Sequence, residues 1–197
     1  MLLFFHWLTA ICSICFILIL NDFVFIWLGS EYTLEIEVVA VIVINFYIQN
    51  IINPVWIYRE TMGLFNQIKY IMIIAAIINI VLSIILGIYW GLAGIIISTA
   101  LSRLLTTVWY EPRMLFKLKF QQSVWKYWGR QLRYSLVTVI AGALIILSTS
   151  FFDLSIIGII LKVIFAVVVS SFVFFLTSYK TEEFLTIKSL IINIIRR

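Results

Sequence analysis

Asn45, Gln49 and Asn53 recur every fourth residue, so on a helix their three amides share one face. Asn50 stands slightly to one side of this stripe, and Pro54 at its end frees a backbone carbonyl. Amides in an apolar setting need partners. The face therefore has two readings: hydrogen-bonded glue between helices, or the lining of a polar path. A second stripe, Ser98, Ser102 and Thr106, has Thr99, Arg103 and Thr107 beside it. Gly91 and Gly94 precede it and allow close helix approach. Asn79 and Ser83 form a smaller polar face. Arg103 is the strongest candidate for contact with an anionic substrate; its other reading is a charge that snorkels to the headgroups or pairs with a neighbour. Lys162 is a poorer cationic candidate that can also reach the surface. Asp22, beside Asn21, reads either as a hydrated interfacial carboxylate or as a proton or cation coupling site.

The sequence holds no HExxH, P-loop or GxSxG pattern and no set of metal-spaced histidines. Cys12 and Cys15 are the only cysteines and His6 the only histidine, so a four-ligand zinc site is not expected. The two cysteines read as packing residues of an apolar helix, and His6 as an interfacial residue outside any cluster. No catalytic residue, cofactor or metal is assigned, and the chain is not expected to be an enzyme.

The elements that must carry these residues are membrane spans. Of 197 residues 64% are hydrophobic and only 12% charged, about half the charged share usual in a soluble domain. Roughly 20 apolar residues in a helix cross a hydrocarbon core. The pattern predicts an all-α, six-helix bundle with spans at about 4–28, 38–58, 70–88, 92–110, 134–152 and 156–179. A turn at Tyr89 to Gly91 separates the third and fourth spans, and Glu111-Pro112 is expected to end the fourth. No positive n-region precedes the first apolar run and no small-residue cleavage pattern follows it, which argues against a signal peptide. Residues 180–197 form a tail whose Phe184, Ile187, Ile191 and Ile194 recur at helical spacing, as in a surface-lying amphipathic helix.

Between Pro112 and Arg133, six basic residues interleave with Phe116, Phe120, Trp125, Tyr127 and Trp128. Between two spans this composition marks a segment lying in the headgroup region, so membrane lipids rather than nucleic acid are the expected contacts. The even-numbered connectors and the tail carry Arg59, Lys69, those six residues, Lys180, Lys188, Arg196 and Arg197. The odd connectors carry Glu31, Glu35, Glu37 and Asp153 instead. The positive-inside rule then places both termini in the cytoplasm, in agreement with an even number of spans.

With these elements in place, the chain resembles the C-terminal half of bacterial polysaccharide or oligosaccharide flippases, within the superfamily of multidrug and oligosaccharidyl-lipid exporters. The resemblance rests on Asn21-Asp22-Phe23, Ile26-Trp27-Leu28-Gly29, Tyr32, Gly63-Leu64-Phe65, Lys69-Tyr70 and Ile78-Asn79-Ile80-Val81-Leu82-Ser83. It continues in Gly91-Leu92-Ala93-Gly94-Ile95, Ser98-Thr99, Ser102, Glu111-Pro112 and Leu115-Phe116-Lys117. Each motif is weak alone, and their order is the signal.

The resemblance implies two pseudosymmetric bundles around a central cavity. It implies alternating-access transfer of undecaprenyl-diphosphate-linked oligosaccharide across the bacterial cytoplasmic membrane, for O-antigen, capsule or exopolysaccharide. Family members carry basic cavity residues toward the pyrophosphate, a part Arg103 would play here, and some couple to cations. The chain has about half the family's length, so the resemblance implies a partner: a missing N-terminal half or a second copy. Two alternatives stand beside this reading: a non-transport subunit or scaffold of a glycan assembly complex, and another exporter of the same superfamily.

Overall fold

The computed structural model describes residues 2–149, 152, 154–186 and 189. Six α-helices follow in chain order: α1 (Leu2–Leu28), α2 (Ile36–Thr61), α3 (Phe65–Leu105), α4 (Thr107–Leu115), α5 (Trp125–Thr149) and α6 (Ile156–Ser178). Among the described residues there is no β-strand. All but the short α4 are long and apolar enough to cross a membrane.

Gly91 divides α3. Its φ of 55° and ψ of −133° are not helical, and such a backbone is open to glycine at little steric cost. The chain turns back there into two antiparallel arms, residues 65–90 and 92–105. Gly94 lets them touch: a Cβ on it would stand 2.0 Å from the carbonyl oxygen of Leu86. With α3 counted as two arms and α4 as the continuation of the second, the bundle has six crossing segments. The chain is a multi-pass membrane protein.

The fourth segment does not end at Glu111-Pro112. Pro112 lies inside α4, and the helix breaks earlier, at Thr106, with φ −126° and ψ −87°. The general bias of a pre-proline residue away from helix is overridden because Glu111 is buried and held by Arg59 on α2. A π-helical turn, Phe116–Phe120, extends the segment, and Gln121 in the left-handed region (φ 50°) reverses the chain. The fifth segment begins at Trp125 rather than near Tyr134. Tyr127, Gln131 and Tyr134 repeat at intervals of three to four and are buried, so half of the basic–aromatic stretch is already helix.

α1 sits centrally against α2, α5 and α6, and α2 leads outward to α3 and α4. Ile14 of α1 packs with Ile145, Ala141 and Ala166, the two alanines being small enough to let α5 and α6 approach closely. Ile48, Ile52 and Val55 of α2 pack with Ala100, Val108 and Leu115. Most remaining large apolar side chains point outward, among them Ile73, Ile77, Ile80 and Ile84 on the first arm of α3. In a membrane protein these meet lipid.

The two ends of the bundle differ in charge. One gathers Arg59, Arg113, Lys126, Arg130 and Arg133; the other holds Glu31 and Glu35 on the α1–α2 connector. Asp153, Lys188, Arg196 and Arg197 lie outside the described residues, as do Ile187, Ile191 and Ile194 of the expected tail helix. The described part of the tail is helical over 182–186. There Glu183 accepts from the Leu3 backbone N–H at 3.3 Å and from the Tyr134 hydroxyl at 3.1 Å, and pairs with Arg130 at 2.8 Å.

Candidate functional site

The two predicted stripes meet different neighbours. On α2, the Asn45 amide donates to the Ile96 carbonyl of the second α3 arm (3.2 Å), and Gln49 Oε1 accepts from Arg103 at 2.9 Å. Asn53 is half-buried one turn further on. Asn50 is turned to its own helix and donates to the Phe46 carbonyl. On the second arm, Ser98 is fully buried and bonds to Ser83 at 2.6 Å. Asn79 donates to Thr99 at 3.2 Å and, more weakly, to Ser98. Ser102 and Thr106 are buried and return their hydroxyls to the Thr99 and Ser102 carbonyls. The hydroxyl stripe thus fastens the α3 hairpin and satisfies its own helix, while the amide stripe fastens α2 to α3.

Arg103 stands apart from this internal bonding. It is half-buried, and its hydrogen-bond acceptor is a neutral amide rather than a carboxylate. Its guanidinium carbon lies 5.9 Å from the Trp56 ring centroid, with Arg59 5.8 Å from the same ring. Both distances suit cation–π attraction. Arg59 is compensated: it pairs with Glu111 at 2.9 Å and Glu60 at 3.0 Å. Trp56 Nε1 and Arg59 Nε are buried here without a hydrogen-bond partner among the described residues. Buried donors of this kind are ordinarily satisfied by water or a ligand. Gln49, Trp56 and Arg103, backed by Arg59, therefore make a seam between α2 and the α3–α4 segment. It combines a guanidinium that has no carboxylate partner among the described residues with an amide and an indole. Chemically, such a set can hold an oxyanion and stack against a polar ring.

Asp22 is not solitary. Its carboxylate accepts from Lys162 Nζ of α6 at 2.5 Å, with side-chain exposures of 19% and 12%. Two charges that stood alone in sequence neutralise one another, clamping α1 to α6 toward the acidic end of the bundle. Neighbouring Asn21 closes the same end through two hydrogen bonds to the Leu34 backbone.

His6 is likewise inside rather than interfacial. It is fully buried, with Nε2 3.1 Å from Gln131 Oε1 and Nδ1 3.4 Å from the Tyr47 hydroxyl. Tyr47 also reaches Ser135 at 3.1 Å and Thr138 at 3.3 Å. This network joins α1, α2 and α5, and sequence reasoning missed it because its members lie 41 to 125 residues apart. Cys12 and Cys15 are free thiols, half-buried in α1. Among the described residues no group of three or more His, Cys, Asp or Glu is placed to hold a metal ion.

The fold and the site thus define a six-helix, multi-pass membrane protein with a cationic seam on one side. No protein-family model, characterised protein or solved structure matches the chain.

Proposed function

We propose that this chain is one lobe of a bacterial cytoplasmic-membrane flippase for undecaprenyl-diphosphate-linked oligosaccharide, with no catalytic chemistry of its own. The observation that carries the reading is Arg103, a membrane-segment cation that among the described residues bonds to Gln49, with no carboxylate partner, and is set beside Trp56. A guanidinium is worth holding in a span when something anionic visits it. A diphosphate supplies that charge, and the neighbouring amide and indole suit sugar hydroxyls and ring faces. The order of sequence motifs and the six-segment lobe support the same reading. The basic end of the bundle then faces the cytoplasm, with both termini there. The seam needs a second lobe, from a separate half or another copy, to enclose a cavity.

Proteoliposomes holding the chain, alone or with a supplied N-terminal half, test this with a labelled lipid-linked oligosaccharide and leaflet-resolved detection. Wild type transfers label faster than protein-free liposomes, and Arg103→Gln reduces the rate at least about tenfold, the cost of one charge-assisted contact. Transfer at the protein-free rate in every arrangement, or undiminished transfer by Arg103→Gln, overturns the proposal. A scaffold role is the second reading, favoured by the way Asn45, Asn79 and Ser98 spend their hydrogen bonds on neighbouring helices.

A further inference from the structure

At the basic end of the bundle, away from the Arg103 seam, a cavity of about 290 Å³ opens between the ends of α2 and α5 and the π-helical turn. Its walls are of two kinds. Pro54, Val55 and Leu115 form an apolar floor, and Tyr58, Phe116 and Phe120 form an aromatic side, with the Tyr58 and Phe120 rings edge-on at 5.7 Å. Ser123, Lys126 and Arg130 line the same cavity. Lys126 and Arg130 are four residues apart on the first turns of α5, so both cations project from one helix face. Lys126 has no carboxylate partner among the described residues, whereas Arg130 is held by Glu183, which also lines the cavity. The left-handed Gln121 lies between the π-helical turn and α5, and aromatic residues from before it and cations from after it line one cavity.

We propose that this cavity binds the phosphate-bearing headgroup of one anionic membrane lipid. The two cations engage the phosphate, while the apolar floor and aromatic side receive the glycerol and upper acyl chain. Basic pockets between helices at the cytoplasmic surface are suited to anionic headgroups, and the positive end of the α5 dipole adds to the attraction at Lys126. Glu183 competes with the phosphate for Arg130. Because Glu183 also holds the Leu3 N–H and the Tyr134 hydroxyl, an arriving headgroup loosens the tail from α1 and α5. The inference concerns bilayer lipid and stands whether or not the Arg103 seam transports anything.

Native mass spectrometry of the full chain in neutral detergent, titrated with phosphatidylglycerol or phosphatidylcholine, tests it. Wild type retains one phosphatidylglycerol in preference to phosphatidylcholine. Lys126→Gln/Arg130→Gln lowers that retention roughly 25-fold, each basic residue near an anionic headgroup contributing about fivefold. Lys126→Arg/Arg130→Lys keeps it, and Glu183→Gln raises it. Lys117→Gln/Lys119→Gln, which removes the same charge from residues outside the cavity, leaves it within about twofold. Equal losses in the two charge-removing variants point to diffuse surface attraction and overturn the site. So does equal retention of the two lipids, or glycerol phosphate binding as tightly as the intact lipid. Unchanged helix content by circular dichroism qualifies each variant for comparison.

Discussion

Removing Arg59 should cost far more than neutralising Glu111, although the two form one ion pair. Their side chains are 10% and 1% exposed and meet at 2.9 Å. Charge centres about 4 Å apart attract by roughly 4 kcal/mol at an effective dielectric of about 20. Desolvation of each ion costs several kcal/mol, so the intact pair contributes little net stability. The asymmetry comes from what each substitution leaves behind. Arg59→Met strands a buried carboxylate, whose cheapest escape is to take up a proton. With an ordinary carboxylate reference near 4.3, that uptake costs about 3–4 kcal/mol at pH 7 and about 1 kcal/mol at pH 5. Glu111→Gln keeps a hydrogen-bond acceptor and leaves Arg59 with Glu60 at 3.0 Å, so its cost is about 1–2 kcal/mol. The sign follows directly: the folded Arg59→Met variant binds the extra proton, so its deficit shrinks as pH falls. Arg59→Met/Glu111→Leu removes both charges and should recover most of the loss. Graded SDS unfolding in mixed micelles, read by circular dichroism at pH 5 and pH 7, measures all three. Equal costs for the two single substitutions, or an Arg59→Met deficit independent of pH, would refute the reasoning.

The clamp between Asp22 and Lys162 should behave as a coupled pair. Asp22→Asn and Lys162→Met each destabilise by about 3 kcal/mol, and the double variant recovers at least about 1 kcal/mol in the same unfolding assay. Gly94→Ala should lower stability by about 1–3 kcal/mol or more, because its Cβ would meet the Leu86 carbonyl, which cannot rotate aside. Cysteines placed at Asn79 and Thr99, whose side chains meet at 3.2 Å, would cross-link less efficiently with a short bifunctional reagent in that variant if the arms separate. His6→Leu should cost about 2 kcal/mol by leaving Gln131 and Tyr47 short of partners, and His6→Asn less. A thermal midpoint that does not move in His6→Leu would show that the network adds nothing to packing.

The crossing segments were legible because hydrophobic length is a local property. So was the reversal at Gly91, where a short turn between two long apolar runs leaves the chain little choice. The alternation of basic and acidic connectors correctly anticipated two chemically different ends. Local rules failed where a distant residue set the backbone. Glu111-Pro112 reads as a helix stop until Arg59 is placed against Glu111, 52 residues away. The basic–aromatic stretch reads as a surface segment until the buried repeat of Tyr127, Gln131 and Tyr134 is seen to continue into α5.

For the site, sequence spacing identified faces but not what they meet. The every-fourth-residue stripes on α2 and α3 do point at other helices, yet most of their polar atoms are used up there. What distinguishes Arg103 is that a neutral side-chain amide accepts from it while an indole faces it, a property that belongs to the set and not to any one residue. Asp22 and Lys162 did carry a usable signal: two isolated opposite charges toward the same end of the first and last segments. In low-dielectric surroundings each is costly alone, so a shared depth is reason to pair them. The same reasoning leaves Arg103 without an opposite charge among the described residues, as it does Lys126 and Arg133 on the first turns of α5, but of these Arg103 is the one set beside both an indole and a side-chain amide. Stability within the chain therefore accounts for Lys162 and Asp22 but not for Arg103, and that difference is why the anionic-ligand proposal rests on Arg103.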